Sequence, residues 1–382
     1  GTASVSKSFT AAAIVDLESQ GKLSIKDPIS KYLPELKLPH SMNTEDIQIH
    51  HLLSHTTGLP PIARREDLNR LEDHLNYLGS LDLEPLGKPG EFISYSNDAF
   101  LLLGLIIERV TGKLFRRYIT ETFLDKLDMT RSTFSLEELA KFDNVTEPYI
   151  YDQSADYYKL AVWSKLGNYE VGGGIRSNVI DLLKYGQIYL GDSQEKYSKM
   201  WQPTYHISQN RHYGYGFEIV PNYEGVTLVK HSGGQPGVSS HFGFIPEQGY
   251  AIAVLTNLSD VPASEVWLAA ANTILDVPVD QKIDIGSISE MNPTVAGQYV
   301  GTYTSGEGDK LTIQQESNHL NIIFGQEKYE LKQIDDHTLV IEDEHFPIRF
   351  YFDDNQEPWA LLFGLRVLKK QTEMAPSNTI QL

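Results

Sequence analysis

The C-terminal pattern limits most strongly what this chain can fold into. From Thr294 onward, short runs of alternating apolar and polar residues are separated by turn residues, which is typical of antiparallel strands. The runs are Gly297–Tyr303, Leu311–Gln315, Leu320–Phe324, Tyr329–Ile334, Thr338–Glu342, Ile348–Phe352, Trp359–Phe363 and Leu365–Lys369. Eight short strands in so few residues predict a small closed antiparallel β-barrel, in which strand edges are removed by closure. With no charged cluster or metal pattern in it, we interpret this barrel as a stability or oligomerisation module.

The sequence before residue 277 has a different pattern and predicts a second, larger domain. A chain of 382 residues exceeds the roughly 250–300 residues that one hydrophobic core usually serves. Strand-forming residues dominate 213–258, and helices are predicted up to Gly21 and at 98–112, 115–126, 179–189 and 263–275. We therefore expect an α+β fold, with an antiparallel sheet flanked by helices in 1–276, a linker at 277–293 and the barrel in 294–382.

Two segments of the larger domain lack a clear hydrophobic period. Residues 60–90 are polar with scattered leucines and are predicted to form loops and short helices. Residues 140–170 are rich in tyrosine and are predicted to be a loop that helps to shape a substrate pocket.

Composition excludes several classes of partner and chemistry. The chain has 32 Lys and Arg against 51 Asp and Glu, and this net charge of −19 disfavours nucleic acids and anionic membranes. It has no cysteine, so a disulfide, a thiolate nucleophile and a cysteine zinc site are impossible. No run of about 18 apolar residues predicts a transmembrane helix. These properties leave the compartment undetermined.

A serine and a lysine three positions apart stand near the N-terminus, in Ser4-Val5-Ser6-Lys7. Residues at i and i+3 of a helix lie on one face, so both side chains would project into one pocket. A serine hydroxyl is a weak nucleophile that needs a base, and a buried lysine can supply one. In the first helical turn, the N–H of Ser4 would be unpaired and could point at a developing oxyanion. Taken alone, the pattern favours the plainer interpretation, with Ser4 as a helix cap and Lys7 in solvent.

The tripeptide Tyr95-Ser96-Asn97 stands where a short extended run meets a strongly apolar helix. This junction would place the Tyr95 hydroxyl and the Asn97 amide at the rim of a site. A tyrosine can relay a proton, and an asparagine amide can hold both a substrate amide and the lysine. The alternative is that Asn97 caps the helix while Tyr95 packs on it.

The run His231-Ser232-Gly233-Gly234 follows a β-branched strand and precedes a hairpin. Glycines allow a substrate to lie against a strand edge, where backbone N–H groups are free. We predict that Ser232, Gly233 and Gly234 bind substrate, with the N–H of Gly234 completing an oxyanion hole with that of Ser4. His231 is a candidate for assisting proton transfer, and the alternative is a histidine that only satisfies bonds at the end of its strand.

In the order S-x-x-K, Y-x-N and H-x-G, these motifs resemble those of the serine β-lactamases and penicillin-binding proteins. Tyrosine in the second motif and histidine in the third make residues 1–276 similar to the branch of class C β-lactamases and D,D-peptidases. The segments at 49–59 (IHHLLSHTTGL) and 172–177 (GGGIRS) also look like segments of that family. The G-x-Y-x-G-x-Y run at 297–303 resembles the lipocalin-like tail of some of its peptidases, including D-amino-acid-specific ones.

The resemblance implies a serine hydrolase that works through an acyl-enzyme. Ser4 would attack a carbonyl carbon while Lys7 and Tyr95 take its proton, with Asn97 positioning the lysine and the substrate. Histidine stands where β-lactamases usually have lysine, and a neutral histidine offers less fixed charge to a substrate carboxylate. We therefore rank a peptidase or amidase of D-amino-acid peptides first, carboxypeptidase-like enzymes included. An esterase ranks second and a β-lactamase third, and β-lactams are candidate ligands.

Two other function classes fit the same sequence. A relic of the site could bind β-lactams or peptidoglycan fragments without turnover, or the chain could be a structural partner subunit. The intact set of three motifs favours an enzyme, because drift usually erases at least one motif.

Other clusters are interpreted as structural. His51 and His55 are four positions apart, but Leu52 stands where a metalloprotease helix needs glutamate. We therefore predict that His50, His51 and His55 bond the loop backbone rather than a metal. The run Gly172–Gly174 lacks the G-K-[ST] ending of a phosphate loop, which argues against nucleotide binding. Neither a metal nor a cofactor is expected.

The resembled family places a helix and the first strands of its sheet ahead of S-x-x-K, whereas this sequence begins at Gly1, just before Ser4. Three explanations fit this position of the motif: a fragment, a cleaved form, or a second chain that supplies those elements. Association with another copy of the chain is also compatible with the sequence.

Overall fold

The computed structural model describes residues 1–39, 42–259, 261–292, 294–316 and 319–371. The described residues form two compact units. The sheet unit contains residues 1–59 and 65–284, and the barrel unit contains residues 60–64 together with the described residues from 285 onward. The domain boundaries and the linker at 277–293 stay predictions.

All α-helices of the described residues belong to the sheet unit. They are α1 (Ser6–Ser19), α2 (Ile49–Leu53), α3 (Leu71–Ser80), α4 (Asn97–Thr111), α5 (Phe115–Ile119), α6 (Leu136–Leu139), α7 (Glu170–Gly173), α8 (Val179–Leu190), α9 (Gln194–Tyr197) and α10 (Ala263–Ile274). The predicted helices at 98–112, 179–189 and 263–275 are confirmed as α4, α8 and α10. The helix predicted at 115–126 is α5 followed by a wider π-type turn at Thr120–Leu124. Among the helices described, none combines the length and the hydropathy that spanning a bilayer requires.

The sheet unit contains a two-stranded hairpin and a six-stranded sheet. Its strands are β1 (Tyr149–Asp152), β2 (Tyr157–Leu160), β3 (Tyr205–Ser208), β4 (Arg211–Tyr213), β5 (Glu218–Tyr223), β6 (Val226–Gln235), β7 (Val238–Ile245) and β8 (Tyr250–Thr256). Strands β3 to β8 lie in sequence order, and each is antiparallel to the next. The hairpin of β1 and β2 contradicts the prediction of a plain loop at 140–170. Every residue of β2 is exposed, so burial imposes no alternation that a sequence could display.

Aromatic side chains pack helices on both faces of the six-stranded sheet. On one face, Tyr189 of α8 stacks on Phe244 of β7 with ring centroids 4.7 Å apart, and Tyr185 of α8 stacks on Phe9 of α1 at 3.6 Å. On the other face, the indole N–H of Trp267 in α10 donates to a β8 carbonyl at 3.1 Å. The sheet thus separates α10 from the layer of α1 and α8, and α1 is held rigidly on that first face.

The barrel unit is a closed antiparallel barrel of eight strands, as predicted. The strands are β9 (Gly301–Thr304), β10 (Lys310–Glu316), β11 (His319–Phe324), β12 (Glu327–Asp335), β13 (Thr338–Ile341), β14 (Phe346–Phe352), β15 (Pro358–Phe363) and β16 (Arg366–Lys370). Closure occurs where β9 pairs with both β10 and β16. The first strand begins later than predicted, because Ala296–Tyr299 forms a 3-10 turn. Tyr299 and Phe350, with ring centroids 4.8 Å apart, contribute to one apolar core.

Candidate active site

The turn that carries Ser4 is fixed by backbone hydrogen bonds. Ser4 lies in a 3-10 turn, Ala3–Val5, that runs directly into α1, so it precedes the α-helix instead of lying in its first turn. The N–H of Thr2 donates to the carbonyl of Ile175 at 3.0 Å, and the N–H of Val5 donates to the carbonyl of Thr2 at 3.1 Å. Ala3 has a φ of 44°, a left-handed conformation that an L-residue keeps only where its surroundings enforce it.

Lys7 is fully buried and is held by three oxygen atoms. Its Nζ lies 3.2 Å from Ser4 Oγ, 2.9 Å from Asn97 Oδ1 and 2.9 Å from the carbonyl oxygen of Gly172. The two carbonyl-type oxygens can only accept, so each engages one N–H of the lysine. The contact with Ser4 can run in either direction: an ammonium donates to the hydroxyl, whereas a neutral amine accepts its proton. The geometry therefore permits proton exchange between Ser4 and Lys7.

Gly172 is a part of the site whose role the sequence did not reveal. It lies in α7, inside the glycine run that resembles a segment of the family and lacks the ending of a phosphate loop. A Cβ at this position would lie 2.9 Å from Lys7 Nζ, so only glycine lets the backbone approach the amine this closely. The triple glycine was the available signal, but nothing local indicates which side chain it would face.

The second motif reaches the site at the N-terminus of α4. Ser96 is the N-cap, and its Oγ accepts from the N–H of Ala99 at 3.1 Å, so the suggestion that Asn97 caps the helix is wrong. The Asn97 amide accepts from Lys7 instead. Tyr95 is buried, and the centroid of its ring lies 4.9 Å from Lys7 Nζ, within the range of a cation–π contact. Both predicted residues of this motif thus touch the lysine.

Strand β6 passes directly beside the turn of Ser4. A Cβ built on Gly233 would lie 2.4 Å from the carbonyl oxygen of Thr2 and 2.9 Å from the nitrogen of Ser4. A Cβ built on Gly234 would meet no atom of the described residues within 4 Å. Gly233 is therefore required for the close approach of two backbones, whereas Gly234 borders open space.

The end of β6 offers an open edge next to this space. Pairing of β5 with β6 extends only as far as Lys230, and in the described part of the chain no other strand covers residues 231–235 on that side. The two-residue turn after Gln235 makes Gln235 and Val238 a hydrogen-bonded pair. Backbone polar groups alternate along a strand, so the N–H of Gly234 is expected to point to the open edge. A carbonyl lying there could accept from it.

His231 is buried and neutral. Its Nδ1 lies 2.6 Å from the carbonyl oxygen of Ser232, which can only accept, so Nδ1 carries the proton. Its Nε2 then accepts from the hydroxyl of Tyr213 at 3.1 Å. Burial, together with the charge of Lys7, lowers the pKa of His231 to about 4. The site therefore has an uncharged imidazole at this position near neutral pH, and Tyr213 is a second site residue that sequence reasoning missed.

The structure brings the three motifs together to different degrees. Hydrogen bonds join Ser4, Lys7 and Asn97, whereas Tyr95 joins them through its ring. His231 is linked less directly, with its ring centroid 6.2 Å from that of Tyr95. Ser232 is exposed, Gly233 abuts the turn of Ser4, and Gly234 borders the open space beside it.

The three histidines near α2 bond in the way we predicted, with one difference. His51 Nδ1 accepts from the N–H of Gln48 at 3.0 Å, and His55 Nδ1 accepts from the N–H of Ser96 at 3.1 Å. His50 bonds the side chain of Gln48 instead of the backbone.

Comparisons with known proteins identify the family of this chain. A family model described as Beta-lactamase matches residues 1–273. Penicillin-binding protein 4* of Bacillus subtilis (strain 168) is 28% identical over 359 residues, which are 86% of this chain and 77% of that protein. The structure of the octameric penicillin-binding protein homologue from Pyrococcus abyssi aligns with a TM-score of 0.69 and 28% identity, over 97% of this chain and 88% of that chain.

A D-stereospecific amidohydrolase from Streptomyces sp. aligns with a TM-score of 0.57 and 22% identity, over 68% of this chain and 82% of that chain, which shows a shared fold. The family model covers more than half of the chain, including Ser4, Lys7, Tyr95, Asn97 and His231. The resemblance found in the sequence is thereby confirmed. The chain belongs to the beta-lactamase family, the serine hydrolase superfamily of β-lactamases and penicillin-binding proteins.

Proposed function

We propose that this protein cleaves peptide or amide bonds of D-amino-acid-containing peptides through an acyl-enzyme on Ser4. The observation that carries the proposal is the position of Lys7. Its amine is buried, lies 3.2 Å from Ser4 Oγ and is held by two oxygens that can only accept. A base held in this way can take the serine proton at the moment of attack.

In the acylation step, Ser4 Oγ forms a bond to the substrate carbonyl carbon while its proton passes to Lys7, with Tyr95 as a relay. The N–H groups of Ser4 and Gly234 stabilise the oxyanion of the tetrahedral intermediate. The intermediate collapses when the carbon–nitrogen bond breaks, and Tyr95 delivers the proton to the leaving nitrogen, while His231 supports the site through its bonds to Ser232 and Tyr213. The burial of Tyr95 against Lys7 supports this relay.

In the deacylation step, water attacks the ester carbon, and its proton passes to Ser4 Oγ through Tyr95 and Lys7. The carbon–oxygen bond to Ser4 breaks, and Ser4 recovers its hydroxyl proton as the carboxylic acid leaves. Asn97 holds Lys7 in place during both steps, which its bond of 2.9 Å to Nζ supports.

The choice of substrate class rests on His231 and on the relatives. A neutral imidazole with both nitrogens engaged offers no cation to a substrate carboxylate, which disfavours the β-lactamase alternative. Two relatives are described as penicillin-binding proteins, and a neighbour in fold is described as D-stereospecific. These observations together favour D-amino-acid amides over esters and β-lactams.

A panel of chromogenic substrates tests the proposal. D- and L-aminoacyl anilides, p-nitrophenyl esters and nitrocefin are compared, with rates normalised to the fraction of protein that a fluorophosphonate titrates. We expect D-aminoacyl anilides to exceed their L-enantiomers by at least about tenfold, a differential transition-state effect of about 1.4 kcal/mol. Ser4→Ala is the control and should hydrolyse none of them.

Three outcomes would contradict this assignment. A preference for L-anilides would contradict the stereochemistry, and turnover of esters or nitrocefin without turnover of any D-anilide would replace the peptidase with an esterase or a β-lactamase. Labelling without turnover of any substrate would indicate a binding protein.

A further inference from the structure

His55 accepts hydrogen bonds from the backbone on both sides of Tyr95. The backbone carbonyl of His55 accepts from the N–H of Ser94 at 2.9 Å, and its ring Nδ1 accepts from the N–H of Ser96 at 3.1 Å. These two donors are the immediate neighbours of Tyr95 in the chain. The backbone on either side of Tyr95 is thus tied to one residue of a different segment.

The ring of His55 also packs against aromatic rings of the site. Its centroid lies 4.3 Å from that of Tyr95, 5.1 Å from that of Phe100 and 5.2 Å from that of Tyr213. Tyr213 in turn bonds His231. One imidazole therefore contacts both tyrosines that surround the open end of β6.

The backbone of His55 is held in an uncommon conformation. Its φ is 59°, in the left-handed region that non-glycine residues seldom adopt, and the side chain is 1% exposed. Such a conformation costs free energy and persists where the surroundings impose it. An observed strain next to a candidate catalytic group is consistent with a role in positioning that group.

We propose that His55 is a positioning residue that fixes Tyr95 for proton relay, and that it does so through the bond from Ser96. This inference rests on the proposed function. Because Nδ1 accepts an N–H, the imidazole is neutral with its proton on Nε2. Histidine combines an aromatic ring with an acceptor at the δ position, whereas phenylalanine supplies only the ring and asparagine only the acceptor.

Two substitutions separate the ring from the acceptor. His55→Phe keeps an aromatic ring but leaves the buried N–H of Ser96 without its acceptor. His55→Asn keeps an acceptor at the δ position and tolerates a positive φ, but loses the ring. The two variants therefore distinguish anchoring by the hydrogen bond from simple packing.

The readout is the reaction of a fluorophosphonate with Ser4, resolved into a binding constant and a rate constant for the chemical step. We expect His55→Phe to lower that rate constant by about 10- to 100-fold with the binding constant unchanged, since a displacement near 1 Å can cost 10²-fold. His55→Asn should recover the rate to within a few-fold of the wild type. Thermal unfolding of each variant confirms that the folded protein is compared.

His241→Phe is the matched control. His241 is also buried, lies on β7 next to Trp267, and neither of its ring nitrogens has a hydrogen-bond partner among the described residues. His241 pairs across the strands with Ser232, but its ring packs on Trp267, on the face of the sheet that α10 covers, so its substitution should leave the labelling rate unchanged. A wild-type rate in folded His55→Phe, or an equal loss in His55→Asn and His55→Phe, would overturn the inference. Failure of the wild type itself to react would instead overturn the proposed function.

Discussion

The two units of this molecule bury different kinds of side chain. The sheet unit encloses titratable groups: Lys7 is fully buried, and a partly buried ion triad places Glu218 Oε1 2.9 Å from Arg211 Nε and 2.8 Å from Lys230 Nζ. The described centre of the barrel unit is an apolar cluster, and ion pairs such as Lys332 with Glu290 and Arg366 with Glu307 lie outside that cluster.

The difference shows in which unit the chain keeps buried groups that lower its stability but can serve a reaction. A buried charge is costly unless hydrogen bonds or an opposite charge compensate it, so it persists where something requires it. The barrel, by contrast, gains stability from burying apolar area in the ordinary way. We therefore expect substitutions of the buried groups around Ser4 to change reactivity, and substitutions at the centre of the barrel to change stability alone.

The largest effect is expected from Lys7→Met, which replaces the buried amine with an apolar side chain of similar length. Without its base, Ser4 should react with a fluorophosphonate at least about 10³-fold more slowly, within the usual range for general base catalysis. Stopped labelling reactions at pH 7 measure this rate. A loss below tenfold would mean that the buried charge is structural, like the triad at Glu218, and the contrast between the units would fail.

The next largest effect is expected in the barrel. Ile313 is fully buried in the apolar cluster, and Ile313→Ala should lower the free energy of unfolding by about 2–5 kcal/mol through lost burial and a cavity. Denaturant titration measures the loss, and fluorophosphonate labelling of the native protein is the companion measurement. A labelling rate that falls together with stability would show that the barrel contributes to the chemistry.

Two glycine substitutions, one in each unit, test the difference between the units directly. In Gly233→Ala, the new methyl group would meet the carbonyl oxygen of Thr2 at 2.4 Å, so the turn of Ser4 must shift and labelling should slow by about 10²-fold. In Gly297→Ala, the nearest contact of the methyl group among the described residues would be Gln315 Oε1 at 3.9 Å, and the rate should stay as in the wild type. Equal rates for both variants would contradict the close approach of β6 to the nucleophile.

The smallest effect is expected on the free energy of unfolding when the pH is lowered. The pKa of His231 is lowered to about 4 in the folded protein, whereas an unfolded histidine titrates near 6.5. The unfolded state therefore binds more protons between these values, and stability falls as the pH decreases through this window. This one group should remove about 2 kcal/mol between pH 7 and pH 5.

His231→Gln tests the pH prediction because it removes the titrating ring. Its unfolding free energy should decline less than that of the wild type over the same pH interval. Parallel declines in the two proteins would show that other groups dominate, such as His241, whose pKa is also lowered by burial.

The sequence predicted best what local spacing determines. Ser4 and Lys7 are three positions apart, and the alternation of the barrel strands follows directly from one buried face. The site groups that were missed, Gly172 and Tyr213, come from distant segments, and their roles depend on which side chain each one faces. The hairpin at 149–160 was missed for a different reason, since its second strand is exposed on both faces and leaves no hydrophobic pattern.

The role of His55 was predicted only in part. Its predicted role, bonding a loop backbone, is what the structure shows, but the bonded loop turned out to carry Tyr95. A histidine near an apolar helix indicates a satisfied polar group, and only the tertiary fold reveals which group it satisfies. Sequence patterns therefore located the chemistry, whereas its supporting contacts required the fold.

The most direct test of the central claim is to locate the acyl-type adduct. The protein is treated with a fluorophosphonate, digested and mapped by tandem mass spectrometry, beside Ser4→Ala treated in the same way. We predict a single stoichiometric adduct on Ser4 and none on the Ser4→Ala protein. An adduct on another residue, or equal labelling of the two proteins, would contradict the account.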